Sequence, residues 1–264
     1  MKGLRALLLD LDGVLYVEDE PLPGARKAVT ELRERGLALR FVTNTTSQPR
    51  RLILERLRRL GFDVEAEELS TPAALAVARC VERGRRRAML LVRDDVKEDF
   101  AELEDVEQAE AVIVGDLGEA FDYGVLNRAF RRVIDGAELI ALQKNRYWLR
   151  PDGLSLDVGP FVAALEYATS TEALVVGKPS KDFFATILSG IPAEAGDSAM
   201  VGDDVESDVG GALGAGLAGI LVRTGKYRED ALRASGIEPT AVVDSIADVP
   251  ALLDLDPGRS LGRG

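Results

Sequence analysis

The sequence predicts an α/β fold: a doubly wound parallel sheet carrying an inserted α/β domain. Three observations predict it. Short apolar runs alternate with helical patterns from end to end. Several of those runs stop at acidic or polar residues, where open parallel sheets keep their ligands. About a hundred residues in the middle repeat the alternation independently, enough for a domain of their own. The chain has 264 residues, 46% of them hydrophobic, so there is apolar material for both cores.

Taken in order, Leu7 to Gly13 reads LLLDLDG. The leucines form a buried strand. Asp10 and Asp12 stand two apart, so on an extended chain both face one side. Gly13 lets the chain turn sharply. Val14 to Pro23 is a small flap punctuated by Pro21 and Pro23. Pro23-Gly24 opens a helix through Arg35, stopped by Gly36. Leu37 to Val42 is a second strand, ending in Thr43-Asn44, and a helix from Pro49 to Leu60 stops at Gly61. Ala73 to Glu82 is helical. Strands at Ala88 to Val92, Ala111 to Val114 and Glu138 to Ala141 alternate with helices near Asp95 to Ala101 and Tyr123 to Ile134. Phe161 to Tyr167 is a further helix. Strand character returns at Leu174 to Val176, ahead of Gly177-Lys178-Pro179, and Asp182 to Leu188 is helical. Ser198 to Val201 is a strand ending in Gly202-Asp203-Asp204. A small-residue helix from Glu206 to Ala215 follows. Gly219 to Val222 is a strand running into Thr224-Gly225-Lys226. A short strand near Val242, a helix near Ile246 to Leu253 and a loose tail from Pro257 close the chain. The domains follow as a discontinuous core, 1–72 and 174–264, and an insertion, 73–173.

Composition excludes several chemistries. A net charge of −12 argues against nucleic acid or an anionic membrane as partner. No apolar run approaches the ~20 residues of a membrane span. Met1 to Leu9 is too short for a signal peptide and runs into a carboxylate, and the acidic balance fits a soluble cytoplasmic protein. The single Cys80 forbids an internal disulfide, and the absence of histidine forbids His-based triads and His-ligated metals. Acid–base work falls to Asp, Glu, Lys, Tyr or Cys80. Oxygen ligands favour Mg²⁺ over zinc.

In one parallel sheet, four strand ends would converge: Asp10/Asp12, Thr43/Asn44, Lys178 and Asp203/Asp204/Asp208. Singly each has an ordinary reading. Asp204 is as readily a helix cap, Thr43-Asn44 a turn, and Lys178 a surface charge. Together, the carboxylates suit a hard cation, and the hydroxyl, amide and ammonium groups suit phosphate oxygens. Two other motifs lose. Cys80 and Arg86 have the spacing of cysteine phosphatases, but Cys80 falls late in a helix rather than before one. Gly210 to Gly214 has a dinucleotide-loop look, yet no strand directly precedes it.

The motifs DLDGVLY at Asp10, VTN at Val42, VGKPS at Val176 and VGDDVESDVGGA at Val201 together resemble the haloacid dehalogenase-like phosphatases. The insertion resembles that family's type II cap on a Rossmann-like hydrolase core. RYWLRPDGLSLDVGPFVAALEYAT at Arg146, GDLGEAFDY at Gly115 and RTGKYR at Arg223 are similar to the phospholysine phosphohistidine inorganic pyrophosphate phosphatase group. Asp12 is present, whereas the dehalogenase branch lacks it. The resemblance implies a phosphatase acting on phosphate esters, phosphoramidates or pyrophosphate through an aspartyl-phosphate. It implies Asp10 as nucleophile and Asp12 as acid–base. Mg²⁺ would be held by Asp10, the Asp12 carbonyl and Asp203, with Asp204 and Asp208 behind. Thr43, Asn44 and Lys178 would hold the phosphoryl group.

Two rivals stay open at this stage, a phosphotransferase or mutase and a catalytically silent regulatory protein. The resemblance also implies a homodimer through the cap. Val112, Ile113 and Val114, with Phe121, Tyr123, Phe130, Tyr147 and Trp148, would suit an interface or simply fill the cap's own core.

Overall fold

The computed structural model describes residues 3–150 and 153–254. The backbone forms two compact units, Met1–Thr43 with Leu54–Ser70 and Phe184–Gly264, and Asn44–Ile53 with Thr71–Phe183.

The first unit is built on a six-stranded sheet. Its order is Ala241–Val243, Ala218–Val222, Ser198–Gly202, Ala6–Asp10, Ala38–Val42 and Leu69–Ser70, all parallel. A parallel sheet is covered on both faces, so its strands read as continuous apolar runs. Leu7, Leu8 and Leu9 have no exposed surface, and each contributes roughly 1.5–3 kcal/mol by burial. From Ala6–Asp10 the chain first builds outward on one side, then returns to place Ser198–Gly202 on the other. The strand order therefore reverses between these two strands, and a crevice opens at their carboxyl ends.

Helix Ala25–Glu34 covers this sheet because Ala25, Ala28, Val29 and Leu32 recur at helical spacing and are buried. Gly36, at φ 77°, ends it. Tyr16–Val17 and Glu20–Pro21 make a two-stranded flap.

The second unit has its own parallel sheet, ordered Leu174–Val175, Glu138–Ala141, Ala111–Val114, Arg87–Leu91 and Glu104–Asp105. Helices Tyr123–Ile134 and Val158–Thr169 pack against it, capped by the carboxylates of Asp122 and Asp157. Val112, Ile113 and Val114 are wholly buried in this core, and Phe121 stacks on Phe161 at 3.9 Å. Of the residues expected at an interface, Val112, Ile113 and Val114 are interior, and Phe121 and Phe130 are partly buried against the core. Tyr123 and Tyr147 are exposed, and the side chain of Trp148 lies outside the described residues.

The structure departs from the sequence reading in three places. Leu174–Val175 pairs with Ile140 and Ala141 in the second sheet, not with the first, so Lys178 does not follow a strand of the sheet that carries Asp10. Local pattern marks a strand but not which sheet receives it. Tyr147–Arg150 and Gly153–Leu156 form a hairpin not anticipated from the pattern. The small-residue helix after Asp204 is present, but its first part, Val205–Gly210, is π-helical and only Gly211–Gly214 is α-helical.

Cys80 is buried in helix Pro72–Glu82, and burial pushes its thiol up, away from the reactive thiolate. The small residues near Gly210 permit close packing: a Cβ on Gly210 would stand 2.7 Å from the Ile237 side chain. Among the described residues, no helix is long and apolar enough to cross a membrane.

Candidate active site

Asp10 ends the central strand of the first sheet and Asp203 follows its neighbour, Ser198–Gly202. The register pairs Leu9 with Val201, so Asp10 stands beside Gly202 and Asp203 follows one residue beyond. Asp10, Asp203 and Asp208 are buried and bring carboxylate oxygens within 4.8 Å of one another. Asp208, expected behind the ligands, brings an oxygen to the same cluster. Its Oδ2 accepts the Asp204 amide at 3.1 Å. Gly202 makes this possible, since a Cβ there would stand 2.2 Å from the Asp208 Cβ.

Asp203 is held on three sides. Its Oδ2 accepts the Lys226 amide at 2.6 Å, and Gly13 and Gly225 close over the same oxygen. Its Oδ1 is buried with no hydrogen-bond partner among the described residues. Loss of hydration, then the charge of Asp10, pushes the Asp203 carboxyl up to about 7, against the pull of the Lys226 amide. A cluster of this kind asks for positive charge. Three buried carboxylates, with Asp203 Oδ1 lacking a hydrogen-bond partner among the described residues, fit a hard divalent cation.

Asp12 lies on the turn beyond Asp10 and is exposed at the rim. Partial desolvation, then Asp10, raises its carboxyl, while Lys226 and Arg56 lower it. The net direction is the one a general acid needs. Tyr16 is buried beside it. Desolvation, then Asp12, pushes its phenol up to about 12, and the Arg56 guanidinium lies 5.9 Å from its ring centre.

Asp204 accepts the amides of Glu206 and Ser207, so its carboxylate caps the turn that follows. Thr43 is buried at the end of Ala38–Val42, and its amide donates to Ser70. In the second unit, Asn44 and Lys178 are joined twice. The Lys178 amide donates to Asn44 Oδ1 at 2.8 Å, and Asn44 Nδ2 donates to the Lys178 carbonyl at 2.9 Å. Lys178 is 3% exposed and borders a cleft of about 690 Å³ with Lys144, Asn145 and Ser180.

Sequence reasoning missed Lys226. Its side chain is exposed and borders a cleft of about 230 Å³ with Asp203 and Asp204. Some desolvation lowers its ammonium, but Asp203 and Asp10 more than offset this and hold it above its ordinary value. The signal was Thr224-Gly225-Lys226 at a strand end, the kind of place that yielded the other candidates.

Known proteins agree with this architecture. The haloacid dehalogenase-like hydrolase pattern matches residues 7–104, and a second pattern, HAD-hydrolase-like, matches 175–249. The chain is 48% identical over 227 residues to haloacid dehalogenase-like hydrolase domain-containing protein 2 of Bos taurus, covering 86% of this chain and 87% of that protein. It is 38% identical over 259 residues to the phospholysine phosphohistidine inorganic pyrophosphate phosphatase of Homo sapiens, covering 96% and 95%. Among solved structures, a p-nitrophenyl phosphatase from Archaeoglobus fulgidus superposes with a TM-score of 0.88 at 28% identity, covering 95% of this chain and 99% of that one. The chain belongs to the haloacid dehalogenase-like hydrolases, as an enzyme of their phosphatase group.

Proposed function

We propose that the chain hydrolyses phosphorylated small molecules or pyrophosphate through a phosphoryl group carried on Asp10. The buried Asp10–Asp203–Asp208 cluster at the point of strand-order reversal carries this reading. Asp10 and Asp203, with the Asp12 main-chain carbonyl, would hold Mg²⁺, and Asp208 lies within reach as a further oxygen. The bound ion would offset the charge of the carboxylates and of the phosphoryl oxygens.

An Asp10 oxygen bonds to phosphorus as the bond to the leaving atom breaks. Asp12 gives its proton to that atom. The Asp12 carboxylate then takes a proton from water as the water oxygen bonds to phosphorus, releasing phosphate and restoring Asp10. Thr43, Asn44 and Lys178 carry the hydroxyl, amide and ammonium that bind phosphoryl oxygens, where transition-state charge spreads. Residues 73–173 act as the cap that selects the leaving group.

A panel of phosphate esters, phosphoramidates and pyrophosphate, incubated with Mg²⁺ and no acceptor, tests this. Free phosphate is the expected product; transfer that requires an added acceptor would make the protein a phosphotransferase. A cytoplasmic location agrees with the net charge of −12. We also propose self-association through the second unit. Tyr147, Leu154 and Leu156 share one face of the hairpin by alternation and are all exposed. Light scattering should give a dimer mass; a monomer at micromolar concentration would refute this.

A further inference from the structure

We infer that the Thr224–Lys226 loop is a positioning clamp that orients the Asp203 carboxylate for a divalent cation. This rests on the metal reading above. A carboxylate on a short side chain can turn about its last bond, exchanging its two oxygens. Here it cannot turn freely. Oδ2 is held by the Lys226 amide at 2.6 Å. A Cβ added to Gly225 would stand 2.0 Å from the same oxygen, and one added to Gly13 would also stand 2.0 Å from it. The carboxylate is thus pressed between two backbones that only glycine allows. Both glycines have positive φ, 80° at Gly13 and 59° at Gly225.

The two walls are tied to each other. The Thr224 hydroxyl donates to the Gly13 carbonyl, and the Gly13 amide donates to the Tyr16 carbonyl at 2.8 Å. With Oδ2 spent inside this clamp, Oδ1 is the buried oxygen left without a partner, and Asp10 and Asp208 supply the neighbouring oxygens. The clamp therefore fixes which oxygen serves the cation. Supports of this kind behind a ligand typically tune metal affinity.

The test is Mg²⁺ titration of the full chain by calorimetry, repeated with Mn²⁺, on wild type and four variants. Gly225→Ala should weaken Mg²⁺ binding by about tenfold to a hundredfold. Thr224→Val, which keeps the shape but loses the tie to Gly13, should weaken it by ~3-fold or more. Thr224→Ser, which keeps the hydroxyl, should bind like wild type. Asp203→Asn should bind least. Circular dichroism checks folding. If Gly225→Ala does not fold, the Thr224 pair decides. Wild-type affinity in Thr224→Val, with binding lost in Asp203→Asn, would overturn the clamp and leave the metal reading standing. A wild type that binds neither cation would overturn both.

Discussion

Removing every divalent cation should make this protein less stable as the pH rises from 5 to 8. The cause is Asp203. Its carboxyl sits at about 7 in the folded chain, against 3.8 ordinarily. The folded state therefore holds this proton more tightly than the unfolded state does. The stabilisation is fully present below pH 3.8 and is lost as the pH passes through about 7. Between pH 5 and pH 8 the loss is roughly 2–3 kcal/mol. Asp12 and Asp99 are also raised, and they act in the same direction. Glu68, lowered despite its burial by Arg33, acts oppositely, but at more acid pH than this window. Denaturant melts in chelator-treated buffers at several pH values would measure the slope. Asp203→Asn should flatten most of it and raise stability at pH 8, and Mg²⁺ at pH 8 should restore stability to wild type only. A level or rising stability in the metal-free wild type, or an unchanged slope in Asp203→Asn, would refute the reasoning.

Other outcomes follow from single residues. Asp12→Asn should slow phosphorylation of Asp10 by ~10²–10⁴-fold for alkyl phosphates and less for aryl phosphates, whose leaving groups need the proton less; single-turnover rates would show equal losses if Asp12 is not the acid. Asp157→Ala removes the cap of helix Val158–Thr169 and should cost about 0.5–2 kcal/mol, read from denaturant melts. Leu9→Ala empties a fully buried site in the central strand and should cost about 2–5 kcal/mol by the same measurement.

Much of the site was legible because its signals are local. Asp10, Asp12 and Gly13 lie in one run, and a strand that ends in two carboxylates announces itself. Asp203 was legible for the same reason. Asp204 was ambiguous, and the structure uses its carboxylate as a cap. What escaped depends on register between distant segments. Gly225 matters only because Ala218–Val222 runs beside Ser198–Gly202, with Gly202 opposite Leu221, which brings the loop over Asp203. Asp208 reaches the cluster from the π-helical segment Val205–Gly210 that follows Asp204, a winding that local pattern does not announce. The hairpin at Tyr147–Leu156 has a signal in the turn-forming Pro151-Asp152-Gly153 between two short segments, but nothing local says that those segments pair. The strand at Leu174 was visible, but its partner was not, because pairing is decided by the fold around it.

The central claim is that Asp10 carries the phosphoryl group. It is tested most directly by mixing enzyme with an aryl phosphate and Mg²⁺, quenching in acid within one turnover, and mapping peptides by mass spectrometry. The peptide containing Asp10 should gain the mass of one phosphoryl group, and the gain should be absent in Asp10→Asn. Phosphate release at an undiminished rate by Asp10→Asn, with no phosphorylated Asp10 in wild type, would contradict it.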